Sequence, residues 1–161
     1  MKRFLTATGV ALVPLGALAA LALASPAKDV TPTPIARSTF PAFNVRSDPH
    51  GPVDFRAHAS RRMDVFVRQH DYQPGGFTGW HTHPGPIFLQ VKTGELVVYD
   101  YANPCEGITL TPGKGYVDTG RGHMVVNESG APATDISVIM APADGGPFRG
   151  ELDPPDVDCD N

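Results

Sequence analysis

After residue 40 the apolar positions come in short runs, cut every few residues by glycine or proline, and no sustained 3.6-residue period appears. The runs predict strands at Met63–His70, Phe77–His83, Ile87–Val91, Glu95–Tyr101, Ile108–Leu110, Gly115–Asp118, His123–Asn127 and Thr134–Met140. Many short strands at close spacing, with turn residues between them, predict an all-β barrel or sandwich in a single domain. The stretch VKTGELVVYDY, Val91 to Tyr101, reads as a hairpin turning near Thr93 and Gly94. Phe66, Phe77 and Phe88 are assigned to the core by default. The 17 glycines and 17 prolines among 161 residues fit a turn-rich β chain better than a helical one.

The two ends differ from this body. Lys2 and Arg3 precede an uncharged, largely apolar run that closes on Ala22-Leu23-Ala24. This is the pattern of a signal peptide over residues 1–24, cut after Ala24. The competing reading is an uncleaved anchor, against which Pro14 and the short run both argue. No Cys lies near the cut, which argues against a lipid-anchored form. Residues 25–43 carry Pro26, Pro32, Pro34 and Pro41 among Thr, Ser and Ala, and read as an extended linker. The barrel is expected over residues 44–145. Residues 146–161 read as an acidic, turn-rich tail.

Charge narrows the partners. The formal charge is −4, and loss of Lys2 and Arg3 with the leading segment takes it to −6. Nucleic acid and anionic lipid surfaces are disfavoured, because both need clustered Lys and Arg. Export, to a secreted or cell-envelope location, puts Cys105 and Cys159 where disulfides persist. A bridge between them would pin the tail and close a loop of about 54 residues, worth about 4 kcal/mol in the chain-entropy model. Two free buried thiols are the alternative.

The candidate chemistry lies in the histidines, six in all: His50, His58, His70, His81, His83 and His123. On a strand, residues i and i+2 share a face. His81 and His83 therefore aim two imidazoles at one point, with Trp80 and Thr82 on the other face. His123, opening the run HMVVN after the turn TGRG, is the candidate third ligand. Three imidazoles with positions left open are the pattern of catalytic rather than structural metal sites. By contrast H-x-H alone is a weak signal. His50 and His58 read as exposed, and His70 as a solvated strand end. Arg121 and Arg149 are possible anion ligands but read as surface residues. No Ser-His-Asp order, Cys nucleophile, phosphate loop or acid pair stands out.

GGFTGWHTHPGPIFLQVKTG, Gly75 to Gly94, resembles the first motif of the cupin superfamily, with Gly75, His81, His83 and Gly94 in place. GKGYVDTGRGHMVVN, Gly113 to Asn127, resembles the second, with Gly120, His123 and Asn127 in place. In particular the chain is similar to small exported single-domain bacterial cupins (type-2 like) that carry G-W-H-x-H-P-G-P and a late Cys. The resemblance implies an antiparallel jelly-roll barrel with a metal held inside it by residues of both motifs. It also leaves pairing of two copies through their sheets as a possible homodimer.

Two departures change the chemistry. The family's motif Glu, usually the fourth ligand, is replaced by Ile87, or by Phe88 at the other permitted spacing. The second motif's Pro is Asp118, which is either a turn residue or a partner that orients His123. Gln90, Glu95, Tyr99 and Tyr101 are the positions weighed as substitutes for the Glu, none with a pattern of its own. Three neutral imidazoles leave the full charge on a divalent ion and suit Fe, Zn, Cu or Ni better than Mn. The expectation is a divalent transition metal on His81, His83 and His123, acting on a small molecule. Dioxygenase-like oxidoreductase leads, with isomerase or hydrolase behind it. A metal or ligand binder without turnover is the main rival, and a metal-free structural barrel the last.

Overall fold

The computed structural model describes residues 26–159; the signal segment and the cut after Ala24 expected from the sequence lie outside the described residues. The described chain is all β. Its strands are β1 (Lys28–Phe40), β2 (Phe43–Arg46), β3 (Arg56–Ala59), β4 (Met63–Phe77), β5 (His81–Thr82), β6 (Ile87–Thr93), β7 (Leu96–Asp100), β8 (Asn103–Leu110), β9 (Gly115–Asp118), β10 (His123–Val126), β11 (Ala133–Pro142) and β12 (Gly150–Glu151).

One large antiparallel sheet runs β12-β5-β10-β4-β11-β6-β9, with β1 also on β4, β7 on β10 and β8 on β7. It wraps into a nearly closed barrel. Strand β4 is the hinge of this arrangement, because its body pairs with β1 and β11 while its end, Phe77, pairs with Val126 of β10. β2 and β3 form a separate hairpin. Most predicted strands are recovered, but the one expected over Phe77–His83 is split between the end of β4 and the two-residue β5. β6 and β7 do not pair as the expected hairpin about Thr93 and Gly94: β6 lies between β11 and β9, and β7 between β10 and β8. β4 runs on through Pro74, Gly75 and Gly76, and β8 starts at Asn103 rather than Ile108.

Alternation decides which residues face inward. β11 is buried at every second residue from Ala133, and β6 turns Ile87, Leu89 and Val91 into the barrel. Tyr72, Leu89, Val91, Leu96, Val98, Leu110, Val125 and Ala133 form the core cluster. Complete burial of such a Val or Leu contributes about 1.5–3 kcal/mol. The phenylalanines expected in the core are only half-buried: Phe88 falls on the outward parity of β6, Phe77 lies at the end of β4, and Phe66 shares the inward face of β4 but sits toward its open end. Phe66 stacks on Phe148, ring centres 4.8 Å apart.

The proline-rich segment corrects the linker reading of residues 25–43. Lys28–Phe40 pairs with β4 along most of its length. Its side chains are largely exposed, so no alternation betrayed it. Pro32 and Pro34 stand two apart and turn their missing N–H the same way. That is tolerated on an edge strand, where alternate N–H groups face away from the neighbour.

The tail is built into the sheet as well. Gly150 and Glu151 pair with Thr82 and His81, and the Leu152 N–H reaches the Trp80 carbonyl at 2.9 Å. Cys105 and Cys159 are bridged, which excludes the free-thiol alternative and ties the tail to β8.

Candidate metal centre

β5 delivers His81 and leads directly into His83, while His123 opens β10 and sits opposite His81 in the ladder. Trp80 faces the other way, as the alternation requires, and packs edge-on against Tyr101 with ring centres 5.5 Å apart. The turn before β10 holds the third histidine in place. Asp118 Oδ1 accepts the Gly120 N–H at 2.9 Å, and the Gly120 carbonyl accepts the His83 N–H at 3.2 Å. Gly120 has φ +89°, and a Cβ there would stand 2.4 Å from the His83 carbonyl oxygen, so only glycine fits.

The three rings converge. Their centres lie 4.4 Å (His81–His123), 4.8 Å (His81–His83) and 5.5 Å (His83–His123) apart, and one nitrogen from each lies within 4.8 Å of the others. The partners of the remaining nitrogens fix the tautomers. His81 Nδ1 meets the Gly79 carbonyl at 2.9 Å, and His83 Nδ1 meets the Phe148 carbonyl at 2.7 Å. His123 Nδ1 meets the Asp118 carboxylate. Oxygen acceptors demand a proton on each Nδ1. Three Nε2 lone pairs are thereby left for the space between the rings. This is the arrangement that orients metal-binding histidines.

Electrostatics keeps His81 and His83 neutral. Burial pushes His83 down to about 4 and His81 further still, with the neighbouring His123 adding to both. Burial of Asp118 opposes its charge, but the hydrogen bond from His123, with that ring's charge and the Gly120 N–H, holds its carboxyl below the usual range. Asp118 thus makes the contacts that both jobs considered for it require, one to the turn and one to His123. The donor set fits a transition metal: three converging imidazoles with an anion behind one of them.

The site opens into a cavity of about 360 Å³. Ile87 is 3 % exposed, lines this cavity and pairs with Asp118 across the β6–β9 ladder. The motif-Glu place is therefore filled by an apolar side chain. None of the substitutes weighed for it lines the cavity among the described residues. Gln90 and Glu95 are exposed, Tyr99 hydrogen-bonds Glu128 at 2.5 Å, and Tyr101 packs on Trp80. His50, His58 and Arg121 are exposed as expected.

Three groups were missed in the sequence. His70 is no solvated strand end. It lines the cavity, and its Nδ1 donates to Asp135 Oδ1 at 2.9 Å. Asp135 is fully buried and also accepts Tyr72 Oη–H at 2.7 Å and Ser137 Oγ–H at 3.0 Å. Arg68, His70 and Tyr72 share one face of β4, and all line the cavity. The tail supplies Phe148, Arg149 and Glu151. Arg149 donates to the Thr78 carbonyl at 2.7 Å and to both oxygens of Glu151.

No protein-family model matches the chain, and no curated protein matches it in sequence. Solved structures do resemble it. One is an uncharacterized conserved protein with a double-stranded β-helix domain from Klebsiella pneumoniae, at 22% identity and TM-score 0.47 over 55% of this chain and 74% of that one. Another is the Cupin_2 domain of an XRE family transcriptional regulator from Enterobacter cloacae, at 18% and 0.45 over 71% and 97%. A third is a sugar phosphate isomerase of the cupin superfamily from Silicibacter pomeroyi, at 28% and 0.41 over 48% and 50%. The likeness is one of strand arrangement and carries nothing about activity. The chain's own geometry stands apart from them: the H-x-H pair at β5 and His123 of β10 converge inside a nearly closed antiparallel sheet.

Proposed function

We propose that the protein is exported, binds one divalent transition metal through His81, His83 and His123, and acts on a small molecule held in the adjoining cavity. The observation that carries this reading is the shared orientation of the three rings, each Nδ1 tied to an oxygen and each Nε2 free. The ion, when bound, would supply Lewis acidity or a redox centre. Fe, Zn, Cu and Ni are the candidates suited to an all-imidazole set.

The chain's own residues define the rest. Ile87, Leu89 and Ile139 give the cavity apolar walls that exclude water from one side of a bound molecule. His70 is the imidazole of the cavity outside the ligand set. With Nδ1–H committed to Asp135, its Nε2 can take a proton from a molecule in the cavity, and the buried carboxylate stabilises the imidazolium that results. This pair favours turnover, with a dioxygenase-like oxidoreductase the leading class. The second reading, a binder without turnover, is favoured by Ile87, which removes the carboxylate ligand of the family's motif.

The test is to produce the chain through an oxidising compartment and measure bound metals beside a His81/His83/His123→Ala variant. About one ion per chain is expected in the native protein and none in the variant. Equal metal content would overturn the proposal. Oxygen uptake with a panel of phenols, diketones and thiols then separates enzyme from binder: consumption dependent on the bound metal supports turnover, and no uptake with no loss of any compound supports the binder.

A further inference from the structure

The geometry points to Arg68 as the anchor for the carboxylate of a small organic anion bound in the cavity. This deepens the reading above, because the anion would lie in the same cavity as the proposed metal.

Arg68 is the anomaly among the charged groups of the barrel. Its Nε is buried without a hydrogen-bond partner, and no other buried side-chain nitrogen or oxygen among the described residues is in that state. Its guanidinium lies over the Phe148 ring at 5.0 Å. The other cavity arginine differs, since Arg149 is held by Glu151 and the Thr78 carbonyl. A guanidinium is always charged and carries five N–H groups in a fixed fork. Arg68 is half-buried, but its Nε–H is out of reach of solvent, and leaving that donor unanswered is unfavourable unless an acceptor arrives from outside the chain.

The chain's own acceptors near Arg68 are already engaged. Ser137 stands directly across the β4–β11 ladder from Arg68, yet its hydroxyl is turned to Asp135. Asp135 in turn receives His70, Ser137 and Tyr72. Glu151 receives Arg149. A carboxylate matches the guanidinium fork with two parallel hydrogen bonds, which a water cannot supply. The apolar walls at Ile87, Leu89, Ile139 and Phe148 suit a hydrocarbon or aryl body. The cavity volume is at the small end of the range that holds organic ligands. Neutral imidazole ligands would leave a bound cation's charge uncompensated, which adds to the preference for an anion.

Benzoate is the probe, and benzamide is its neutral counterpart of the same shape. Binding of each to the full chain is measured by calorimetry, on chelator-treated protein and again after loading with zinc. Benzoate is expected to bind the chelator-treated protein at least about tenfold more tightly than benzamide. In Arg68→Gln that preference is expected to vanish, and in Arg121→Gln, an exposed control, to persist. Arg68→Lys, which keeps the charge but loses the fork, is expected to fall between. Equal affinity for benzoate and benzamide in the native protein, or an undiminished preference in Arg68→Gln, would overturn the assignment. So would no detectable binding of benzoate, acetate or phenylacetate. The comparison of the two ligands on the native chain does not depend on any variant folding. Loss of metal binding with the benzoate preference intact sinks the metal reading alone. Metal retained without that preference sinks this one alone.

Discussion

The two poles of the cavity are built in opposite ways. The histidine pole rests on short pieces: β5 and β12 have two residues each and β10 has four. Its rings are oriented by a turn carbonyl, a tail carbonyl and one carboxylate. The facing wall of Arg68, His70, Tyr72 and Asp135 rests on long ladders, with thirteen residues in β1, fifteen in β4 and ten in β11. There the backbone register brings His70 opposite Asp135 before any side-chain bond forms. Short elements with few backbone bonds open more readily than long ladders. The three converging histidines are thus on the side expected to open first, and the His70–Asp135 pair is on the side held by long ladders.

Cutting the tail loose should strain this contrast most. The Cys105–Cys159 bridge spans a sequence separation of 54. Its loss in Cys105→Ser/Cys159→Ser is expected to lower stability by about 4 kcal/mol in urea titrations. The bridge holds the segment that provides the Phe148 carbonyl to His83, so metal affinity should fall with it. Amide exchange should rise at β12 and β5 while the centre of β4 stays protected. Uniform loss of protection through β4 and β11 would erase the distinction between the poles.

Asp118→Asn is the next largest test, confined to the histidine pole. It removes the negative charge behind His123 while keeping a side chain of the same shape. Loss of such a partner typically weakens metal binding about 10–100-fold. Chelator competition measures this directly. A change within about twofold would leave Asp118 a turn residue only, through its bond to the Gly120 N–H.

The same contrast explains what could be read from the sequence. The histidine pole was legible because its information is local: H-x-H puts two rings on one face by strand parity, and the second motif carries its own turn. The barrel class was legible from the runs and their punctuation. The wall was not, because His70 and Asp135 are 65 positions apart and meet only through the β4–β11 register. β1 escaped notice because backbone pairing, rather than a buried face, orders it. Phe148 was hidden in a segment whose composition reads as turns, and Arg149, weighed as an anion ligand, was read as a surface residue for the same reason. Phe88 misled for a related reason, since parity on β6 decided against it and placed Ile87 and Leu89 inside.

The smallest expected effect probes the rigid pole. Tyr72→Phe removes one of the three hydrogen bonds to the buried Asp135 and leaves the other two. The cost at neutral pH is expected at about 1 kcal/mol, the low end for an acceptor left short of a donor. Metal content should be unchanged. The pH dependence carries the distinguishing sign. Burial raises the Tyr72 hydroxyl well above its ordinary value, and the Asp135 charge and hydrogen bond raise it further. A group held neutral in the fold contributes stability in full below its unfolded value of about 10 and loses it as pH rises through the folded value. Above pH of about 10 the unfolded native chain ionises Tyr72 while the folded chain does not, so native stability falls there by a term the variant lacks. Urea midpoints from about pH 8 to 11 should therefore show the gap between native and Tyr72→Phe narrowing as pH rises past 10. A gap that stays constant would mean the phenol is free to ionise in the fold, and that the β4–β11 wall is as loosely held as the pole it faces.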